Sequence, residues 1–235
     1  MKIHISIFLF ICFFLCCSNK LPVTVESTNY QDLEGTDSIV DTKLLYLYFK
    51  SKSEPDSSYS DSAICIIDSM LYMYKNNENR HFKYALQKIH FLTLASHVDC
   101  AINFIEEDSC MIWEKVGGPY YKEILKHRLL AMNAKKNRDT ILYRKNLQEA
   151  LGLVEKYISE NEQDYIAFLR EGLSESRGKF LITSMEYIYF SYLLYGEKEA
   201  DKRLNAYHER YQINEESLLQ FRMLYSLDIM DFMPI

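Results

Sequence analysis

Two adjacent cysteines, Cys16 and Cys17, end an apolar run and precede a Ser/Asn segment in the stretch FLCCSNK. Thiols side by side suit a redox pair, a pair of metal ligands, or the site of a processing event. Farther along, His97 and Cys100 stand three residues apart, a spacing that brings two metal ligands together on a helix. Asp99 and Glu106 are close in sequence, but no second pair of Cys or His completes a four-ligand set. A core or helix-edge role is therefore expected for His97 and Cys100, with no metal site. Glu106-Glu107-Asp108 has the composition of a cation site, but a solvated helix end is the ordinary reading. The patterns G-x-S-x-G, H-E-x-x-H, G-x-G-x-x-G and the phosphate-binding loop are all absent. No spacing argues for catalytic residues or a cofactor, and the chain is expected not to be an enzyme.

Charge is distributed unevenly. Lys122, Lys126, Arg128, Lys135, Lys136, Arg138, Arg144 and Lys145 fall between residues 120 and 145, against only Glu123 and Asp139. As a functional surface, this basic hairpin would face an acidic protein partner or an anionic envelope polymer. As an ordinary solvated face, it would be balanced by Glu155, Glu160, Glu162 and Asp164. The net charge of -6 does not fit a nucleic-acid binder.

The N-terminus accounts for the paired cysteines without redox chemistry. Met1-Lys2 gives a positive start, and residues 3–15, IHISIFLFICFFL, carry no Lys, Arg, Asp or Glu. A spanning helix needs roughly 20 apolar residues, whereas the apolar core of a secretory signal takes about 7–15. This run has the second length. Its end resembles the lipobox of bacterial lipoproteins, in which a cysteine becomes the lipidated first residue after cleavage. The small Cys16 precedes Cys17, while the bulky Leu15 precedes Cys16, so the resemblance assigns the lipid to Cys17. Phe14 stands where the pattern usually has Leu. Ser18 follows, with no Asp there, which by the enterobacterial sorting rule implies the outer membrane, facing periplasm or exterior. Losing residues 1–16 removes Lys2 and brings the net charge to -7.

Three parts are expected: a lipoprotein signal peptide at 1–16, a lipidated N-terminus and flexible tether at 17–38, and a helical domain at 39–235. Only 7 Gly and 4 Pro in 235 residues mean few turns and long elements. Residues 50–62 should form a loop around Pro55, and one long helix should run from about His81 to Ile105. Helices are expected at about 120–135 and 140–158, with GGP at 117–119 as the strongest breaker and Pro119 in the first turn of the helix that follows. Residues 180–195 are apolar on nearly all sides, and Glu186 among them argues for a buried central helix. Cys65, in AICII, is expected in the core, and Cys100 with Cys110 is the pair best placed for a disulfide. No strand pattern of useful length appears.

Three helices share the pattern A-x3-Φ-x2-Φ: Ala85–Ile89–Leu92, Ala150–Val154–Tyr157 and Ala200–Leu204–Tyr207. This resembles the second helix of a tetratricopeptide unit, where a small residue lets two helices approach closely. The intervals between copies are unequal, and no proline closes a unit. The fold class expected is all-α, built of antiparallel helical hairpins as a tetratricopeptide-like array or an irregular helical bundle. The chain also invites comparison with helical-repeat, glycan-binding outer-membrane lipoproteins, with Trp113 as the one indole able to stack on a sugar.

A lipid-anchored, non-enzymatic helical module is thus expected, bound to the membrane through its lipid and to an unidentified protein, in the acidic case through the basic hairpin. An immunity lipoprotein that neutralises a toxin at the envelope is a narrower form of the same idea. A small hydrolase with unrecognised residues is the enzymatic alternative.

Overall fold

The computed structural model describes residues 30–54, 57–108, 113–114, 118–163, 166, 177–212 and 215–227. These contain nine α-helices and no strand: α1 (Tyr30–Ser53), α2 (Ser57–Met73), α3 (Glu78–Leu94), α4 (Val98–Glu107), α5 (Tyr121–Lys136), α6 (Thr140–Glu160), α7 (Arg177–Tyr195), α8 (Glu197–Tyr211) and α9 (Glu215–Met223). A 3-10 turn, Leu224–Ser226, ends the series. The apolar run at 3–15, Cys17 and Cys110 lie outside the described residues.

Short connections make sequence neighbours antiparallel, and the apolar stripes decide which faces meet. The helices α2 and α3, α5 and α6, and α7 and α8 pack as three hairpins. Helix α1 lies on the first hairpin, α4 bridges α3 to α5, and α7 leans on α6. All nine residues of the three A-x3-Φ-x2-Φ stripes are buried, each stripe on the second helix of its hairpin. Alanine at the first position removes side-chain bulk where the partner backbone passes, and each large residue buried there contributes about 1.5–3 kcal/mol. The chain is all-α and built of helical hairpins.

Two ends of this series differ from the sequence expectation. Helix α1 begins at Tyr30, inside the stretch expected as tether. Its Asp37 accepts hydrogen bonds from the hydroxyls of Tyr74 (2.5 Å) and Tyr84 (3.2 Å) and lies 3.3 Å from Arg80. One turn on, Asp41 pairs with Lys83 at 2.5 Å, and burial pushes its carboxyl pKa up despite that cation. Residue 37 therefore belongs to the folded part, and the boundary at 38/39 moves toward the N-terminus. Of the loop expected at 50–62, residues 50–53 belong to α1 and 57–62 to α2. Its serines are accommodated within helices by bonding backward, Ser51 Oγ to the Leu47 carbonyl and Ser62 Oγ to that of Ser58.

The long helix expected over 81–105 is broken at Ser96. Ser96 adopts φ 67°, its N–H bonds the Thr93 carbonyl, and the His97 N–H reaches back to Leu92. These two bonds cap α3 in a left-handed terminal turn. Cys65 lies exposed on the outer face of α2, between the buried Ala63 and Ile67, rather than in the core. Cys100 is exposed as well, and its expected pairing with Cys110 falls outside the described residues.

Pro119 sits in the turn ahead of α5 rather than in its first helical turn. Gly118 before it has φ +81°, and a Cβ built there would stand 2.3 Å from the Tyr157 ring. Only glycine fits both the backbone and the ring. Trp113 is buried, donates its indole N–H to Asp108 at 2.9 Å and meets the Phe82 ring edge-on at 5.0 Å. It fastens the segment before α5 to α3 and presents no face to a sugar.

Candidate binding surfaces on the second and third hairpins

Helices α6 and α8 lie side by side in the same direction. Arg203 donates to Glu155 at 3.0 Å, and Arg210 donates through Nε to Glu162 at 2.6 Å. Each rung moves seven residues on in both helices, which only a parallel pair allows. Helix α7 runs back between them, packed on both.

Between these rungs is a groove of ≈ 240 Å³. Tyr187, Tyr207 and Tyr211 contribute rings from α7 and α8, Ile158 closes the α6 side, and the small Ser159 and Ala206 leave the space open. The rings are fixed. Tyr207 shares a 2.6 Å hydrogen bond with Ser184, and its centroid lies 5.5 Å from Tyr187 and 4.7 Å from Tyr211. The Tyr211 hydroxyl donates to Glu162 at 3.4 Å. Burial raises the pKa of Tyr187 and of Tyr211, so both stay neutral phenols. With two arginines set against two glutamates, the groove is apolar inside and balanced in charge at its rim. Such a surface can take up an aromatic or aliphatic side chain and hydrogen-bond the backbone beside it. It pairs no nucleophile with a base.

Sequence inspection missed this groove because its residues come from three helices. One signal was available: Glu155 and Glu162 share the seven-residue spacing of Arg203 and Arg210.

The eight basic residues do not form one patch. Arg128 is 0% exposed and faces Glu186, itself 1% exposed, across 3.6 Å in the core. Its long side chain carries the charge inward from α5 to α7, so it is no surface residue. Lys122 donates to the Asp108 carbonyl and Lys126 pairs with Glu106, which ties both to the end of α4. Lys135, Lys136, Arg138, Arg144 and Lys145 remain exposed around the α5–α6 turn. The acids that would have balanced them are engaged elsewhere: Glu155 with Arg203, Glu160 with Lys156 and Tyr120, and Glu162 with Arg210. Asp164 lies outside the described residues.

Among the described residues no group of three or more His, Cys, Asp or Glu is placed to hold a metal ion, and no helix is long and apolar enough to cross a membrane. His97 and Cys100 are both exposed at the start of α4. No family model, curated protein or solved structure matches this chain.

Proposed function

We propose that the chain is a lipid-anchored, non-enzymatic envelope protein that holds a protein partner in the groove between α6 and α8. The observation that carries the binding half is the aromatic groove itself. Tyr and Arg dominate the energetics of protein interfaces: Tyr presents large area with few rotatable bonds and a polar tip, and Arg a planar fork of donors. Here Tyr187, Tyr207 and Tyr211 are already ordered by their neighbours, so little side-chain freedom remains to be lost on binding. The rim is neutral as a whole, which fits a partner segment with apolar anchors rather than a strongly charged one.

The anchoring half rests on the lipobox-like junction at Cys17. Each buried acyl CH₂ contributes about 0.8 kcal/mol, and stable attachment takes more than one chain, as the lipoprotein class carries on its cysteine. The chain then sits at the outer membrane, facing periplasm or exterior. Metabolic labelling with a radioactive fatty acid tests this half. Label is expected on the wild type and on Cys16→Ala and absent from Cys17→Ala. Label that survives loss of Cys17 contradicts the assignment.

A further inference from the structure

The α5–α6 turn projects an apolar pair ringed by cations. Ile141 is 79% exposed and Leu142 is 48% exposed, in the first turn of α6. Lys135 and Lys136 end α5, Arg138 occupies the turn, and Arg144 and Lys145 stand one helical turn beyond Ile141 on the same face. Among the described residues no carboxylate lies within ion-pairing distance of Lys136, Arg138, Arg144 or Lys145. Several cations elsewhere are matched, as Arg80 is by Asp37, Lys83 by Asp41, Lys88 by Asp68 and Arg222 by Asp201. The one acid in the turn, Asp139, is committed: its Oδ1 accepts the Leu142 N–H at 2.9 Å as the helix cap. The next acid along that face, Glu149, is a further turn away.

The turn is also held in shape. Arg138 adopts φ 59°, its N–H bonds the Lys135 carbonyl, and the Asp139 N–H bonds that of Ala134. Below it, His127 and Asn146 join the two helices at 3.0 Å. The apolar pair and its cations thus keep a fixed relation without a partner present.

We infer that this hairpin tip docks on an anionic lipid surface, with Ile141 and Leu142 entering the acyl boundary and the surrounding Lys and Arg meeting lipid phosphates. A bilayer suits the shape, because a convex tip needs no matching hollow to receive it. It also suits the charge, because five exposed cations surround the apolar pair in a chain whose net charge is -6. Lys and Arg near an anionic surface are each drawn to it, and insertion of apolar side chains adds to that attraction. The contact goes beyond the lipid anchor: it would orient the anchored domain and leave the α6–α8 groove for the partner.

Fluorescence of the full chain in proteoliposomes tests this. The native Trp113 is buried and serves as an internal reference. In the Ile141→Trp variant, lipids brominated on their acyl chains should remove about half of the added indole's emission when the vesicles are anionic. The loss should vanish in zwitterionic vesicles, at high salt, and in Ile141→Trp combined with Lys136→Glu, Arg138→Glu and Arg144→Glu. A Tyr72→Trp variant, exposed on α2, should stay unquenched throughout. Absence of quenching in anionic vesicles overturns the docking and returns the tip to an acidic protein partner. Equal quenching in zwitterionic vesicles, or equal quenching of Tyr72→Trp, overturns it as well. Flotation of the wild type with zwitterionic vesicles reads the lipid anchor separately, so failure of the anchor and failure of the tip are distinguishable.

Discussion

At pH 8.5, where Glu186 is ionised, replacing Arg128 by Met should destabilise the fold by about 3–5 kcal/mol, because it leaves the buried carboxylate without its cation. The two groups face each other across 3.6 Å, and neither side chain is more than 1% exposed. The Tyr121 hydroxyl is buried beside them and has no hydrogen-bond partner among the described residues. Burial raises the Glu186 pKa to about 7, against the smaller opposing pull of Arg128, and burial likewise lowers the Arg128 pKa. The double replacement Arg128→Met with Glu186→Leu should recover most of the loss, since an apolar filling of similar volume needs no desolvated charge. Urea unfolding of the two single variants and the double variant measures the coupling. Additive losses would mean that the two groups do not act as a pair.

The same pair gives a pH dependence with a definite sign. In the unfolded chain Glu186 titrates near its ordinary 4.5, and in the fold near about 7. Between those values the folded chain keeps a proton that the unfolded chain has lost, so stability falls as pH rises. The contribution is fully present below 4.5 and is lost as pH climbs through about 7. Glu186→Gln, which cannot ionise, should therefore gain on the wild type as pH goes from 5 to 8.5. A gap that stays constant across that range would remove Glu186 as the titrating group.

The second large effect is expected at Gly118. Gly118→Ala should cost about 2–5 kcal/mol, the sum of a forced left-handed backbone and an overpacked ring. Its Cβ would meet Tyr157 Cε2 at 2.3 Å and Cδ2 at 2.8 Å, and Tyr157 is itself packed in the core. Gly152 supplies the contrast within one hairpin. It lies inside α6 with nothing within 4 Å of an added Cβ. Gly152→Ala should stabilise by up to about 1 kcal/mol through helix propensity alone. Thermal or urea unfolding monitored by far-UV circular dichroism should show the opposite signs. A mild loss at Gly118 would mean that Tyr157 moves aside readily.

What the sequence revealed and what it concealed have separate physical causes. The hairpin α5–α6 was legible almost to the residue, because KNRD is a short polar break between two periodic runs and Asp139 caps the second. The burial of much of α7 between residues 183 and 194 was legible too, since the apolar residues of this run cover nearly every side. The break at Ser96 was not, because a serine in the left-handed turn carries none of the glycine signal that marks such an end. Residues 50–62 misled for the reverse reason: their serines bond backward to helical carbonyls and continue helices that composition alone would end. Arg128 carried the ordinary signature of a surface cation, and only the approach of α7 reveals its place in the core. The binding groove depends on α6, α7 and α8 together, and its ion pairs span 48 residues of sequence. Such a site is fixed by packing and has no local pattern.

The central claim is that the groove between α6 and α8 receives a protein partner while the chain is anchored at the envelope. A photo-crosslinking amino acid placed at Ala206, an exposed position on the groove lining, tests it in intact cells. The account predicts a discrete crosslinked product from position 206 that is lost when Tyr187 and Tyr211 are both replaced by Ala. The same amino acid at Tyr72, exposed on α2, should give no such product. Absence of a product from position 206, or the same product from both positions, would contradict the claim.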